Sequence, residues 1–187
     1  MSDKTRKYFL AGQSGCGKTT LLKALAARED RVVHWDIEDE YRGEQITFAD
    51  IPRLAKRRAF CVVYRPHFAR SLEDLPREFE QFAGLLLKYG RNITITIDEA
   101  LSVLPRNRTS GGLGALLYQG RKRGLSVYYA TQEISGLPRA LTGQAKKLFV
   151  FHLDSGGDLQ VLRRYLAPDL VRRVAALPPH EYLTVTK

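Results

Sequence analysis

The chain has 187 residues, of which 44% are hydrophobic and 27% charged, a composition typical of a globular protein rather than a disordered or fibrous one. No apolar run approaches the roughly 20 residues that a membrane-spanning helix needs, and Met1–Lys7 lacks the apolar stretch of a signal peptide. We therefore expect the protein in the cytoplasm, or wherever a partner carries it. The formal net charge of +10 indicates a polyanionic partner, although solubility alone explains such a charge in many proteins.

Strand-like and helix-like segments alternate along the whole chain. In chain order we predict strand Lys7–Ala11, helix Thr19–Arg28, strand Arg31–Asp36, helix Ile51–Lys56, strand Ala59–Tyr64, helix Pro76–Tyr89, strand Ile93–Ile97, helix Gly112–Arg123, strands Leu125–Ala130 and Leu148–Leu153, helices Asp158–Tyr165 and Pro168–Ala176, and strand Glu181–Thr186. This alternation predicts a three-layer α/β fold with a mainly parallel central sheet flanked by helices. We expect residues 1–187 to form a single domain.

The two cysteines, Cys16 and Cys61, do not form a Cys-x-x-Cys pair. Cys16 lies in a glycine-rich loop described below, where a disulfide would obstruct a ligand. We predict two reduced thiols, with Cys61 buried in a strand.

The segment Gly12–Thr19 (GQSGCGKT) fits the phosphate-binding motif G-x-x-x-x-G-K-[ST], with a predicted strand before it and a helix after it. Glycines let the backbone N–H groups of such a loop point at phosphate oxygens, and the helix presents its positive end to the same anion. Lys18 is predicted to reach the β- and γ-phosphates of ATP, and Thr19 to offer its hydroxyl to Mg²⁺. The predicted nucleotide-binding residues are Gly12, Gln13, Ser14, Gly15, Cys16, Gly17, Lys18, Thr19 and Thr20.

The apolar strand Ile93–Ile97 ends in two acids, Asp98 and Glu99. The carboxyl end of a parallel strand faces the ligand crevice, so Asp98 is expected to hold Mg²⁺ directly or through water, and Glu99 to polarise the attacking water as a general base. The same pair could instead be a helix N-cap. Two predicted strands, near Val33 and Val62, separate the phosphate loop from this strand along the chain. That separation is typical of P-loop NTPases with an inserted central strand and a catalytic glutamate.

Gln132 follows the predicted strand Leu125–Ala130 at its carboxyl end. Its amide could contact the γ-phosphate or the attacking water, or it could face solvent. The residues alone leave these alternatives open.

Several segments together resemble the FtsK/HerA superfamily of DNA-pumping ATPases. They are HWDIEDEY at His34–Tyr41, IDEA at Ile97–Ala100, the basic helix end and strand at Gly120–Gln132, LFVFHL at Leu148–Leu153 and LPPHEYLTVT at Leu177–Thr186. The resemblance implies an ATP-hydrolysing ring, usually a hexamer, that moves double-stranded DNA, and it implies that Gln132 senses the γ-phosphate.

Cellular members of that superfamily generally carry membrane segments or added domains, and we expect this chain to have neither. A single-domain member resembles the genome-packaging ATPases of membrane-containing icosahedral viruses. This narrower resemblance implies a location in the host cytoplasm or in the virion, and a viral portal or vertex protein as a partner.

A ring motor also needs an arginine that reaches across the subunit interface to neutralise charge in the transition state. Arg121 and Arg123 are the first candidates because they precede the Gln132 strand, near the superfamily's basic position. The alternatives are Arg91, Arg106 and Arg139.

The loop Pro105–Gly112 (PRNRTSGG) directly follows the acidic strand. Arg106 and Arg108 of this loop are expected to touch DNA phosphates, although an ordinary flexible loop has the same composition. Since the chain has no base-reading motif, DNA binding should be independent of sequence. A nucleoside, nucleotide or other small-molecule kinase is the alternative function, and a nucleotide-dependent regulatory switch is a third.

Overall fold

The structure is a computed structural model that describes residues 5–69, 71, 73–105, 107 and 110–186. Within them, eight strands form one sheet in the order β3-β4-β2-β5-β6-β1-β7-β8. The strands are β1 Lys7–Ala11, β2 Arg31–Trp35, β3 Glu44–Ile46, β4 Phe60–Tyr64, β5 Thr94–Ile97, β6 Ser126–Thr131, β7 Lys147–Phe151 and β8 Tyr182–Thr186. All neighbours pair in parallel except β8, which is antiparallel to β7.

Helices connect most of these strands. The α-helices are α1 Lys18–Ala26, α2 Ile51–Leu54, α3 Leu75–Tyr89, α4 Gly111–Gln119, α5 Arg139–Gln144, α6 Gly156–Leu162 and α7 Pro168–Ala175. There are also two 3-10 helices among the described residues. Ala100–Val103 follows β5, and Gly120–Arg123 precedes β6. None of the described helices is long and apolar enough to cross a membrane.

Side chains along each strand point alternately to the two faces of the sheet, so the core forms two layers, one on each face. In β6, Val127 and Tyr129 belong to the larger cluster with the α3 and α4 side chains, whereas Tyr128 packs on the other face with Leu22 of α1. Successive side chains of a strand point to opposite faces, so buried strands need apolar residues at nearly every position. The predicted three-layer α/β fold is therefore confirmed.

The inserted central strand is not the one that the chain order suggested. The strands near Val33 and Val62 are β2 and β4, and both lie beyond β5, away from the phosphate loop. The strand between β1 and β5 is β6, which ends just before Gln132. The predicted class is correct, but the inserted strand enters the sheet from later in the sequence.

Three elements were not predicted, namely β3, α5 and the 3-10 helix Ala100–Val103, and one predicted helix is divided. β3 has three residues of which only Ile46 is buried, and α5 has six residues without a clear apolar period. The predicted helix Gly112–Arg123 is instead α4 followed by the 3-10 turn Gly120–Arg123. The other predicted helices and strands are present, with ends that differ by up to three residues.

Cys61 lies in β4 as predicted, but its side chain is exposed rather than buried. β3 pairs with β4 only from Val62 onward, and a cavity of about 460 Å³ lies over Cys61. Cys61 lines this cavity together with Lys23 and Ala26 of α1, so its side chain faces open space, which the strand pattern alone did not reveal.

Candidate active site

The glycine-rich loop Gly12–Gly17 joins β1 to α1 at the carboxyl edge of the sheet. Its first two backbone N–H groups are bound on either side, since Gly12 N donates to Thr131 O (3.3 Å) and Gln13 N donates to His152 O (3.2 Å). The loop is thus anchored between the ends of β6 and β7. Its remaining N–H groups stand at the start of α1, where an anion is favoured.

The geometry of the loop requires glycine at two positions. A Cβ at Gly12 would lie 2.5 Å from the Cβ of Phe151, so no larger residue fits there. Gly17 has a φ of +100°, a left-handed conformation that side chains with a Cβ rarely adopt. Lys18 begins α1 directly afterwards; it is buried, and its Nζ donates to Gln13 O at 2.8 Å. A phosphate oxygen placed in the loop could take over as the acceptor of this hydrogen bond.

The two acids that follow β5 have different surroundings. The Asp98 carboxylate accepts a hydrogen bond from the Tyr41 hydroxyl at 3.4 Å, and the Thr19 hydroxyl lies near the same carboxylate. Burial raises its pKa, and the Thr19 hydrogen bond and the Lys18 charge oppose that rise. Asp98 and Thr19 thus place two oxygen donors side by side, the ligand type that Mg²⁺ prefers.

Glu99 is held by three donors. Its Oε1 accepts from Leu101 N (3.0 Å) and Thr131 Oγ1 (3.0 Å), and its Oε2 accepts from Gln132 N (3.2 Å). Burial raises the pKa of the carboxyl, and these hydrogen bonds oppose that rise. The first of the three also makes Glu99 the N-cap of the 3-10 helix, so the capping alternative holds for this residue alongside its place in the site.

One cavity of about 230 Å³ brings seven of the predicted residues together. From the predicted set it is lined by Ser14, Gly15, Lys18, Thr19, Asp98, Glu99 and Gln132, and it is also lined by Asp36, Ile37, Glu38 and Glu40. Gln132 is exposed and faces this cavity as well as solvent. Thr20 is exposed on α1 and does not line it, and the Gln13 amide donates instead to Asp154.

The segment Asp36–Tyr41 is the part of the site that the sequence analysis left without a role. Asp36 is buried, and its carboxylate accepts from Glu40 N (3.0 Å) and Tyr41 N (3.2 Å). Arg65 lies 3.4 Å from the same carboxylate and donates to Tyr41 O at 2.9 Å. The acidic turn is therefore rigidly attached to β2 and to the end of β4. The signal was present in the acidic and aromatic run of this segment, but its contacts come from tertiary structure.

The Tyr41 ring is fixed by contacts from several elements, with its hydroxyl directed at Asp98. The ring stacks on His34 of β2 (4.2 Å between centroids), and Lys23 Nζ of α1 lies 5.1 Å from the ring centre. Burial raises the pKa of the phenol, so it remains a hydrogen-bond donor at ordinary pH. Asp98 Oδ2 accepts this hydrogen bond, so Tyr41 helps to orient the Asp98 carboxylate.

Tyr41→Phe should therefore weaken magnesium binding more than it affects turnover at saturating magnesium. The lost hydrogen bond is long, so we expect about a fivefold rise in the half-saturating Mg²⁺ concentration, equivalent to about 1 kcal/mol. Titrating Mn²⁺ into the protein bound to a non-hydrolysable ATP analogue, followed by electron paramagnetic resonance, measures this independently of turnover.

Tyr128→Phe is the matched control for this variant. Tyr128 belongs to the same cluster, and its hydroxyl also donates to a carboxylate, that of Glu29 at 2.8 Å, but away from Asp98. Equal Mn²⁺ affinities in the two variants would show that Tyr41 has no special relation to the metal ligand.

A second cavity, of about 280 Å³, lies on the other side of the phosphate loop. Its walls are the loop residues 13–16 together with His152, Leu177 and Pro179. The turn that follows α7 is held close to the loop, because His180 Nδ1 lies 3.3 Å from the position of a Cβ on Gly17. The loop thus has a polar, acidic cavity on one side and a partly apolar one on the other.

The predicted arginines lie elsewhere. Arg121 and Arg123 precede β6 at its amino end, about 20 Å from the carboxyl edge if each residue of the strand adds about 3.3 Å. Arg123 Nη1 donates to Lys88 O at 2.8 Å. Neither arginine lines the cavity of its own chain. Arg106 and Arg108 lie outside the described residues.

The chain is similar in sequence to one viral protein and in fold to others. No protein-family model matches the chain. The chain is 24% identical over 153 residues to Protein P9 of Pseudoalteromonas phage PM2. The aligned residues cover 79% of this chain and 69% of Protein P9. Its structure is similar to the genome-packaging NTPase B204 of Sulfolobus turreted icosahedral virus 2, with a TM-score of 0.76 and 21% identity over 98% of this chain and 93% of that one.

This chain has the fold of a genome-packaging NTPase. B204 of Sulfolobus turreted icosahedral virus, described as a DNA-packaging ATPase, is likewise similar, with a TM-score of 0.71 and 19% identity over 100% of this chain and 94% of that one. The B204 of the second virus was solved in complex with AMP, AMPPCP and ATP-gammaS. The similarity extends over almost the whole length of both chains and so includes β8 and the helices α6 and α7.

Proposed function

We propose that this chain is a magnesium-dependent ATPase that translocates double-stranded DNA and packages a viral genome into a capsid. The observation that carries the proposal is the single cavity in which the phosphate loop, Lys18, Asp98, Glu99 and Gln132 meet. The B204 fold and the similarity to the phage PM2 protein support the packaging role.

ATP would bind with its phosphates in the Gly12–Thr19 loop and with Lys18 between the β- and γ-phosphates. The adenosine end would lie toward the second cavity, where Leu177 and Pro179 offer apolar contact. Asp98 and the Thr19 hydroxyl are the residues that would hold Mg²⁺. When bound there, the ion would neutralise phosphate charge during hydrolysis.

Glu99 is positioned to activate water. Its raised pKa makes it a stronger base than an ordinary glutamate, yet the three donors keep it oriented. A water between Glu99 and the γ-phosphate would give up its proton to the carboxylate as it attacks phosphorus. The Gln132 amide would contact the γ-phosphate or that water, and its backbone N–H already binds Glu99.

Assembly into a ring of six copies, the usual form in the superfamily that the chain resembles, would complete the site. The described lining of the cavity contains Lys18 but no arginine, so a neighbouring subunit would supply the second cation. Arg121 and Arg123 are the proposed source. Arg106 and Arg108 would contact DNA phosphates, and a portal or vertex protein of the virus would receive the ring.

The decisive experiment measures ATP turnover with and without double-stranded DNA, at low and moderate salt. We expect DNA to stimulate turnover, salt to weaken that stimulation, and Lys18→Ala to abolish both because the phosphates lose their cation. In assembled rings, Arg121→Ala or Arg123→Ala should lower turnover by about 10³-fold or more if that residue is the finger.

Phosphorylation of a nucleoside or nucleotide, with no effect of DNA on turnover, would overturn the motor in favour of a kinase. Full turnover in both arginine variants would overturn the assignment of the finger but leave the ATPase intact.

A further inference from the structure

The amino-terminal edge of the sheet, opposite the nucleotide site, carries a row of basic residues that the hydrolytic chemistry does not use. The neighbouring parallel strands β4, β2, β5, β6, β1 and β7 all begin at this edge. Within four residues before its first residue, each has an exposed lysine or arginine. In the spatial order of the strands these are Arg58, Arg28, Arg91, Lys122, Arg6 and Lys146, which we call the basic edge.

Hydrogen bonds confirm that the segments of the basic edge lie beside one another. The Arg31 side chain donates to Arg57 O, Asn92 N donates to Arg123 O at 2.9 Å, and Lys146 N donates to Lys7 O at 2.9 Å. Neighbouring strands are about 4.8 Å apart, so the five steps from β4 to β7 span roughly 24 Å. The row is therefore continuous in space although its members are scattered along the sequence.

Few of the described acids lie beside this row. Glu29 and Asp30 are in the same segments, and Glu29 already binds Arg6 and the Tyr128 hydroxyl. Glu44, at the start of β3, already pairs with Arg57 at 2.8 Å. Acids instead follow the strands at the opposite edge, as Asp36, Asp98 and Glu99 do. The sheet therefore separates charge, with the basic side facing away from the nucleotide.

The composition of the basic edge favours a polyanion over another protein. Protein interfaces have an apolar, charge-depleted centre in which lysine is rare, whereas nucleic-acid interfaces are strongly positive. The large exposed hydrophobic residues in the described part of the chain are Phe68, Tyr118 and Tyr182, and none belongs to the basic edge.

We propose that the basic edge binds the phosphate backbone of double-stranded DNA without reading its sequence. The identity of the polyanion rests on the proposed function, which makes DNA the substrate of the motor. At 3.4 Å per base pair, the edge spans about seven base pairs, enough for several phosphate contacts. DNA would thus have a binding surface separate from the Arg106 and Arg108 loop, on the side of the sheet remote from ATP.

The test compares two triple variants that remove the same charge. The edge variant is Arg28→Gln, Arg58→Gln and Lys122→Gln, and the control is Arg164→Gln, Arg172→Gln and Arg173→Gln on exposed positions of the α6–α7 region. Binding of a labelled 30-base-pair duplex is measured by fluorescence anisotropy across a salt series. In the edge variant we expect the slope of log K against log salt to fall by about 2 to 3, with at least tenfold weaker binding. In the control the slope should change by less than about 1.

Equal losses in both variants would overturn the proposal, because binding would then follow net charge. Unchanged DNA binding in the edge variant would also overturn it. In that case loss of self-association in light scattering would make the edge a contact between copies, and loss of binding to phosphatidylserine vesicles would make it a membrane contact. The failure of this proposal can be told apart from the failure of the proposed function. If the parent hydrolyses ATP without DNA, and the parent and the edge variant bind the duplex equally tightly, only the DNA-binding role of the basic edge is refuted. If the parent binds no duplex at all, the DNA motor is refuted as well.

Discussion

Glu99→Gln should lower ATP turnover by about 10²- to 10⁴-fold while ATP still binds, because the variant loses the general base but keeps the phosphate loop. Gln has the same shape as Glu, so the cavity should retain its volume. Its amide oxygen can still accept from Leu101 N or Thr131, but its NH₂ group cannot accept from Gln132 N. Turnover is measured under single-turnover conditions, and binding is measured separately with a fluorescent ATP analogue.

Glu133→Gln provides the matched control for this prediction. Glu133 also follows β6 closely, but it is exposed, does not line the cavity, and accepts a hydrogen bond from Ser135 Oγ. This variant should hydrolyse ATP at close to the parental rate. If Glu99→Gln kept more than a tenth of the parental turnover, Glu99 would not be the base.

The turnover of the parent should also fall at acid pH, because a protonated Glu99 cannot accept a proton. Since the pKa of Glu99 is raised, this loss of turnover should occur at a higher pH than for an ordinary glutamate.

The parts of the site that could be predicted are those encoded by neighbouring residues. The loop Gly12–Thr19 carries its own signal, because the glycine, lysine and threonine positions and the flanking strand and helix are all local. Asp98 and Glu99 were predictable because they follow an apolar strand at the edge where ligands bind. In the structure these two segments meet in one cavity, as the parallel sheet required.

The rest of the site depends on which strands become neighbours. β6 enters between β1 and β5 from much later in the chain, and this insertion alone brings Gln132 N to Glu99. The contact of Tyr41 with Asp98 likewise requires β2 to pair with β5, which no local pattern specifies. The basic edge was visible only as scattered pairs of cations until the strand order placed them side by side.

The loop that follows β4 is organised by one buried carboxylate, that of Glu78 in α3. Glu78 is 4% exposed, and its two oxygens accept from four donors. Oε1 accepts from the Tyr64 hydroxyl (2.7 Å) and from His67 N (2.9 Å), while Oε2 accepts from Phe68 N (3.0 Å) and Ala69 N (2.6 Å). The carboxylate therefore takes the place of a strand partner for three consecutive backbone N–H groups.

Glu78→Gln should destabilise the protein by about 2 to 4 kcal/mol, because the amide NH₂ would face N–H or O–H donors and leave buried groups unsatisfied. The free energy of unfolding is measured by chemical denaturation, with Glu80→Gln as the control, since Glu80 is an exposed residue on the same helix. The free energy of unfolding of the control should lie within about 0.5 kcal/mol of that of the parent.

ATP affinity, measured at a temperature where both variants remain folded, should stay near the parental value, because Glu78 does not line either cavity beside the phosphate loop. An equal loss of stability in the two variants would mean that the four hydrogen bonds add nothing beyond an ordinary surface charge.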